Sequence, residues 1–395
     1  MQKQPSISST MVVALWIILF FTGGCAAIFE ESSLKSPSYL VPIQTEYPLD
    51  FIDDTDWESL ELAINNSLQY YNRLNEDEFY DIGNDRYTNK ELKESLLTFL
   101  DIIKNTETDS GKLRKIKASF DIYKATGYDQ KGSVLFTGYY EPVLNGSTEE
   151  TDRFRYPIYG VPRDIIKHGN ERITGRLLKN GEIVPYFSRA EIEKGALKNA
   201  GLELAWVDDP ISLFFLHMQG SGKIRLPNGS VIRVSYAGSN GRPFQSIATK
   251  LLKEGKIAQN ELSYQKIKKY LQEHTNELSD ILNYNERYIF FRVVKNGPQG
   301  ALQLPVTPGR SIATDLNIFP KGVLAYIKTR KPVVDEQGNV KSRLPFSRFV
   351  LNQDTGEAIK GPGRVDLFCG SGDEAEMLAG SLKENGELYF LVKKR

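Results

Sequence analysis

Residues 354–373 read Asp354-Thr355-Gly356-Glu357-Ala358-Ile359-Lys360-Gly361-Pro362-Gly363-Arg364-Val365-Asp366-Leu367-Phe368-Cys369-Gly370-Ser371-Gly372-Asp373. Three aspartates stand among five glycines and one proline, around a short apolar run that reads as a strand. Glycine-rich turns let the backbone approach a ligand closely and present side chains at strand ends. Aspartate beside glycine is also ordinary turn chemistry. Composition alone therefore leaves this block open between a site and a set of turns.

Outward from this block the texture is mainly β. Short β-rich runs broken by Gly and Pro cover 134–140, 156–161, 211–218, 224–226 and 231–236, with Asn228-Gly229 as a hairpin signal. Further strands are expected at 288–294, 301–306, 323–327, 346–352, 365–368 and 388–392, and helices at 244–253 and 264–272. Nearer the N-terminus, Trp57, Leu60, Ile64, Leu68 and Tyr71 recur at helical spacing, and Leu92, Leu96, Leu97, Leu100 and Ile103 mark a second helix. The order is helical segment, β block, helical segment, β block, with no internal repeat. It predicts an α+β chain in which a β domain is inserted into a mixed one, leaving a cleft, a favoured place for ligands. The expected divisions are 1–24 as a signal peptide, 25–55 as a tether, 56–141 plus 243–395 as one domain, and 142–242 as the insert.

The apolar run from Met11 to Phe21 is too short to span a bilayer but has the length of a signal-peptide core. It ends in Thr22-Gly23-Gly24-Cys25, which resembles the lipobox of bacterial lipoproteins, whose cysteine is lipidated. Ala26 after it resembles the default routing to the outer membrane, so a lipid-anchored protein on the periplasmic face is expected. A plain cleaved signal peptide is the alternative.

The chain carries 50 Lys plus Arg against 50 Asp plus Glu, so no global field draws it to nucleic acid. With Cys25 lipidated, Cys369 is the one cysteine left and no internal disulfide forms. His168, His217 and His274 are scattered, so no zinc site is expected, and no cofactor or nucleotide loop is found.

The 354–373 block resembles the three-aspartate module of the membrane-bound lytic transglycosylase A family. Collinear pieces extend the likeness over about residues 130–395: Phe136-Thr137-Gly138-Tyr139-Tyr140-Glu141-Pro142, Tyr186-Phe187-Ser188-Arg189-Ala190-Glu191-Ile192, Trp206-Val207-Asp208-Asp209-Pro210, Gln219-Gly220-Ser221-Gly222, Tyr236-Ala237-Gly238-Ser239-Asn240-Gly241-Arg242-Pro243 and Pro308-Gly309-Arg310-Ser311-Ile312-Ala313. The resemblance implies a double-psi β-barrel, a second β-barrel as the insert, and a groove between them. It implies cleavage of the β-1,4 bond between N-acetylmuramic acid and N-acetylglucosamine in peptidoglycan, leaving a 1,6-anhydromuramic end. By motif, Asp366 is the catalytic acid, with Asp354 and Asp373 flanking it. Thr137, Gly138, Tyr139 and Tyr140 match the sugar-lining segment, and Gln219, Gly220 and Ser221 match a loop on the facing domain. The family commonly has a second glycine where Glu357 stands. The expected partners are glycan strands, the membrane through the lipid, and proteins of wall remodelling.

One carboxyl suffices for such a reaction because muramic acid carries its own nucleophile, the 6-hydroxyl, where ordinary glycosidases use two carboxyls. The acid must then be protonated near neutrality, which apolar flanks and acidic neighbours would favour. Glu141 is a second candidate acid or a turn residue, Asp208 and Asp209 read as a turn before Pro210, and Cys369 reads as a small buried residue. A hydrolytic muramidase and a non-catalytic wall-binding lipoprotein remain as alternatives.

Overall fold

The computed structural model describes residues 38–43, 50–168, 172–335 and 340–395. The signal-peptide run, Cys25 and most of the tether lie outside the described residues. No helix among the described residues is long and apolar enough to cross a membrane.

Six strands close into a ring. In order they are Lys383–Lys393, Leu324–Val334, Val340–Asp354, Ser311–Ala313, Arg364–Ser371 and Val134–Glu141, and the first residues of Lys383–Lys393 then pair back onto Val134–Glu141, from Lys383 opposite Thr137 to Gly386 opposite Val134. Two of the contacts are parallel: Arg364–Ser371 with Val134–Glu141, and Ser311–Ala313 with Val340–Asp354. The far half of Lys383–Lys393 leaves the ring to pair with Phe120–Ala125. Alternate residues, among them Val134, Phe136, Val365 and Leu367, fill the interior with Leu324, Tyr326 and Phe349. Each fully buried aliphatic or aromatic side chain contributes about 1.5–3 kcal/mol.

The expected helices over 57–71 and 92–103 form as Trp57–Tyr71 and Asn89–Lys104. Asp56 caps the first through Ser59 N, and Thr88 with Glu91 makes a reciprocal capping box on the second. Their apolar stripes, Leu60, Ala63 and Ile64 with Leu92, Leu96 and Phe99, join the barrel core. A buried guanidinium ties this layer down. Arg310 pairs with both oxygens of Asp53 at 2.7 and 2.9 Å, and donates to Phe349 O and Ser59 Oγ. The Pro308–Ala313 motif thus holds the start of the helical layer against the barrel.

The insert is a second, six-stranded sheet in the order Ile289–Val294, Val231–Ser239, Ser221–Arg225, Val143–Ser147, Glu203–Val207, Tyr156–Tyr159. A bridge between Gly160 and Phe291 joins its two edges. The expected 142–242 segment supplies five of these strands; the sixth, Ile289–Val294, follows the helices Ile247–Lys253, Tyr264–Glu273 and Leu278–Asn283.

Two expectations are corrected. Residues 211–218 do not form a strand but the helix Pro210–Gln219. The signals were local: Asp209 accepts from Ile211 N and Ser212 N, Pro210 opens the first turn, and Gly220 ends it with a φ of 75°. The helix is apolar on every side because Leu213 and Leu216 pack on the insert sheet while Ile211, Phe214 and Phe215 pack on the three later helices. A helix largely buried along 211–217, with only Met218 exposed and that residue apolar too, loses the period that would distinguish it from a strand. Residues 301–306 are a turn. Leu302, Leu304 and Val306 alternate inward as in a strand, but Gln303 has a φ of 58° and Ala301 N is bonded to Asp354.

Candidate active site

The parallel register sets Asp366 opposite Thr137 and Phe368 opposite Tyr139. Strand alternation sends Val365 and Leu367 into the barrel and leaves Arg364, Asp366 and Phe368 on its outer face. Thr137 Oγ1 donates to Asp366 Oδ1 at 2.7 Å, and Arg364 Nη2 donates to the same hydroxyl oxygen at 3.2 Å. Burial pushes the Asp366 carboxyl up to about 6, against the lowering pull of the Thr137 bond and the Arg364 charge.

Asp354 ends the long strand Val340–Asp354 on the far side of Ser311–Ala313, with Ala313 paired to both aspartates. Its Oδ2 accepts from Tyr139 Oη at 2.6 Å, and its Oδ1 accepts from Ala301 N and Thr355 N at 3.0 and 2.9 Å. Burial raises this carboxyl to about 6 as well; the three bonds pull it down and the Asp366 charge pushes it up. Two carboxyls thus stand near the same value, each held by its own hydrogen bonds and coupled through the Asp366 charge. Tyr139 rests on Phe368, ring centroids 5.1 Å apart, and its phenol is held neutral by burial.

The other expected residues fall in different places. Tyr140 points away from Tyr139, as neighbours on a strand do, and its hydroxyl meets Tyr264 at 2.7 Å and Glu376 at 3.0 Å inside the protein. Gly138 lies where a Cβ would sit 2.9 Å from both Ala379 Cα and Cys369 Sγ, so only glycine lets the helix Asp373–Ser381 approach. Gln219 Oε1 accepts from Tyr140 N at 3.0 Å, which fastens the end of the insert helix to the barrel strand. Gly220 is that helix's left-handed cap, and Ser221 is buried at the start of the next strand. Asp373 is solvent-facing in the first turn of Asp373–Ser381 and makes no bond to Asp366. Glu141 is buried between Lys223 and Arg233 at 3.1 and 3.0 Å, so both its oxygens are held by cations at the crossing from barrel to insert. Burial raises the Cys369 thiol, with the Asp366 charge adding to it.

A cavity of about 220 Å³ opens between barrel and insert. Asp366 and Gly356–Ile359 form its barrel wall; Met218, Phe244, Arg189 and Arg287 stand on the other. Met218 and Phe244 are exposed apolar groups. His217, also on this wall, is buried against Tyr288 and Phe291, and burial with the Arg189 charge keeps its imidazole neutral. Neither of its ring nitrogens has a protein partner. A larger cavity of about 570 Å³ lies within the insert and its helices, shares only Arg189 with this wall, and includes neither carboxyl. Chemistry rather than size singles out the smaller one.

Sequence reasoning missed Arg287, Phe244 and the wall position of His217. Glu357 is also informative. Left-handed φ values in the 354–373 block fall on Gly361, Gly370 and Gly372 and not on 357, so the turn accepts a side chain there. Among the described residues no group of three or more His, Cys, Asp or Glu is placed to hold a metal ion.

Comparison with known proteins gives a consistent result. The family model for the MltA specific insert domain matches residues 135–292, and that for the 3D domain matches 310–392. Membrane-bound lytic murein transglycosylase A of Escherichia coli (strain K12) is 31% identical over 274 residues, 69% of this chain and 69% of the relative. The crystal structure of a membrane-bound lytic murein transglycosylase from Agrobacterium tumefaciens superposes with a TM-score of 0.71 at 28% identity, covering 87% of this chain and 97% of the other. The E. coli MltA structure with bound chitohexaose has a TM-score of 0.71 at 24% identity, covering 91% and 96%, a likeness of fold.

Proposed function

Because the chain belongs to the membrane-bound lytic murein transglycosylase A family, lytic transglycosylases that act on peptidoglycan, we propose that it cleaves the β-1,4 bond between N-acetylmuramic acid and N-acetylglucosamine with Asp366 as acid and then base. The observation that carries this reading is a carboxyl raised to about 6 on the wall of the cavity between barrel and insert. An ordinary aspartic acid near 3.9 would need about 4 kcal/mol to be protonated at pH 7; one near 6 needs only about 1.4 kcal/mol.

In the proposed cycle Asp366 gives its proton to the bridging oxygen as the bond to the muramic C1 breaks. The 6-hydroxyl of the same sugar attacks C1, and the Asp366 carboxylate takes the proton that this hydroxyl releases. The acid returns to its starting state, and no water enters the products. An attack within one residue avoids the entropy cost of a second reactant, worth roughly 7–11 kcal/mol in well-oriented cases. Thr137 orients the carboxyl, and Arg364 steadies its ionised form between the two proton transfers. Asp354, held by Tyr139, supplies negative potential beside the positive charge that develops at C1. Met218 and Phe244 offer apolar surface to a sugar face, and Gln219, Gly220 and Ser221 shape the facing edge.

We also read the ring of six strands as a double-psi barrel, the insert sheet as a second barrel, and Cys25 as the lipidated residue that holds the enzyme at the outer membrane. The test is to digest purified peptidoglycan and weigh the products. Ends lighter by one water than reducing muramic ends, absent with Asp366→Asn, are expected. Reducing ends, or full turnover by Asp366→Asn, would overturn the reading.

A further inference from the structure

The two walls of the Asp366 cavity are joined by one ion pair. Arg287, just before the insert strand Ile289–Val294, donates through Nη1 to Glu357 Oε1 at 3.0 Å, and its Nη2 meets the other carboxylate oxygen. Glu357 sits on the barrel turn that follows Asp354, and Arg287 and Glu357 both line the cavity with Asp366. The partners are unequal. The Arg287 side chain is only 17% exposed and Glu357 is 54% exposed. A guanidinium in the wall is thus paired with a carboxylate that mostly faces solvent.

The neighbouring arginines are committed elsewhere. Arg189 donates to Asn285 O at 3.0 Å and Arg287 O at 2.7 Å, and lies 3.4 Å from Glu193. Arg242 donates to Tyr186 O at 3.0 Å and lies 3.6 Å from Glu286. Arg287 also donates to Arg242 O at 3.4 Å, and its anionic partner, Glu357, is the half that faces solvent, so it can be exchanged for another carboxylate at little cost to Glu357, which water solvates on leaving. A carboxylate delivered by a ligand lying in the cavity would make the same fork and shield it from solvent, which strengthens its hydrogen bonds.

The glycan of the proposed function presents such a group on alternate sugars. Muramic acid carries a 3-O-lactyl substituent that ends in a carboxylate on bare strands and continues into a peptide with its own carboxylates on substituted ones. N-Acetylglucosamine carries neither. We infer that Arg287 is a carboxylate-recognition residue of the groove, occupied by Glu357 until the glycan's own carboxylate displaces it. Reading alternate sugars, Arg287 sets the register in which a strand lies against Asp366. This inference rests on the glycan reading above.

Binding is measured with the full chain carrying Asp366→Asn, so that no probe is consumed. The probes are chitohexaose, which is neutral, a muramic-acid glycan stripped of peptides, and the same glycan with peptides attached. Glu357→Gln is expected to tighten an acidic glycan by about tenfold, the size of one charge-assisted contact, and to leave chitohexaose within about twofold. Arg287→Gln is expected to weaken the same acidic glycan by a similar factor, and raising salt from about 0.05 to about 0.5 M should erode that contact selectively. A response confined to the stripped glycan assigns the lactyl carboxylate; one confined to the substituted glycan assigns the peptide. Equal changes for acidic and neutral probes, or none, overturn the inference and leave the glycan reading intact. Failure of all three probes to bind overturns both. Glu357 is on an exposed turn, so its variant remains informative even if Arg287→Gln unfolds.

Discussion

Replacing Asp366 by Asn should make the protein more stable at neutral pH while abolishing its turnover. The carboxyl is held from its usual 3.8 up to about 6 by burial. Between those values the unfolded chain releases its proton and the folded chain keeps it, so folded-state stability falls as pH rises through this window. Above pH 6 the accumulated cost is about 3 kcal/mol. Asparagine keeps the size of the side chain and an oxygen that accepts from Thr137, but it never ionises. The bond from Thr137 to the ionised form is already included in the value of about 6, so the expected gain is about 3 kcal/mol at pH 7.5. Near pH 3.8 the folded acid is almost wholly protonated and the unfolded one about half so, which leaves only about 0.4 kcal/mol of the cost, and the gain should shrink towards zero. Urea midpoints of the two proteins at pH 4 and pH 7.5 measure this directly. A variant that is less stable at pH 7.5, or one that gains equally at both pH values, would refute the claim that burial holds this acid.

Thr137→Val removes the hydroxyl that lowers the Asp366 value, so the alkaline limb of the pH–rate profile should move to higher pH, with kcat reduced by the loss of orientation. Arg310→Met strands Asp53 in the interior without its guanidinium; chemical denaturation should show a loss of about 3–5 kcal/mol. Glu141→Gln leaves Lys223 and Arg233 facing each other at the junction of barrel and insert, and both the melting temperature and kcat/KM should fall. Gly138→Ala puts a methyl 2.9 Å from Ala379 Cα, so the helix Asp373–Ser381 must shift, at a cost of about 1–3 kcal/mol by thermal unfolding.

The parts of the site legible in the sequence were those carried by contiguous motifs. The turns around Asp366 and Asp354 leave their block open, and it is the family resemblance that singles out these two with Thr137 and Tyr139, which the structure sets opposite the Asp366 strand in register. The insert wall was illegible for a physical reason. Arg287 and Phe244 reach the cavity from segments distant in the chain from Asp366, and their facing depends on how barrel and insert pack, which no periodicity records. His217 sits in a helix that is apolar on its buried and exposed sides alike, where the pattern carries no direction. The helix Asp109–Ser119 escaped because Ile116 is its one fully buried large apolar residue, with Leu113 partly so. Asp209 was readable as a turn residue, yet its place before Pro210 is the mark of a helix start.

Thr137 lies 229 residues from the carboxylate it touches, and the strand that seals the ring against it, Lys383–Lys393, is among the last residues of the chain. Closing so long a loop is slow compared with forming local helices and hairpins. Until that closure is complete, the aspartate remains an ordinary, wet, ionised side chain with nothing to donate. On the proposed function, the ability to donate a proton therefore depends on a contact between segments far apart in the chain, and a copy in which the ring is still open would leave the glycan uncut.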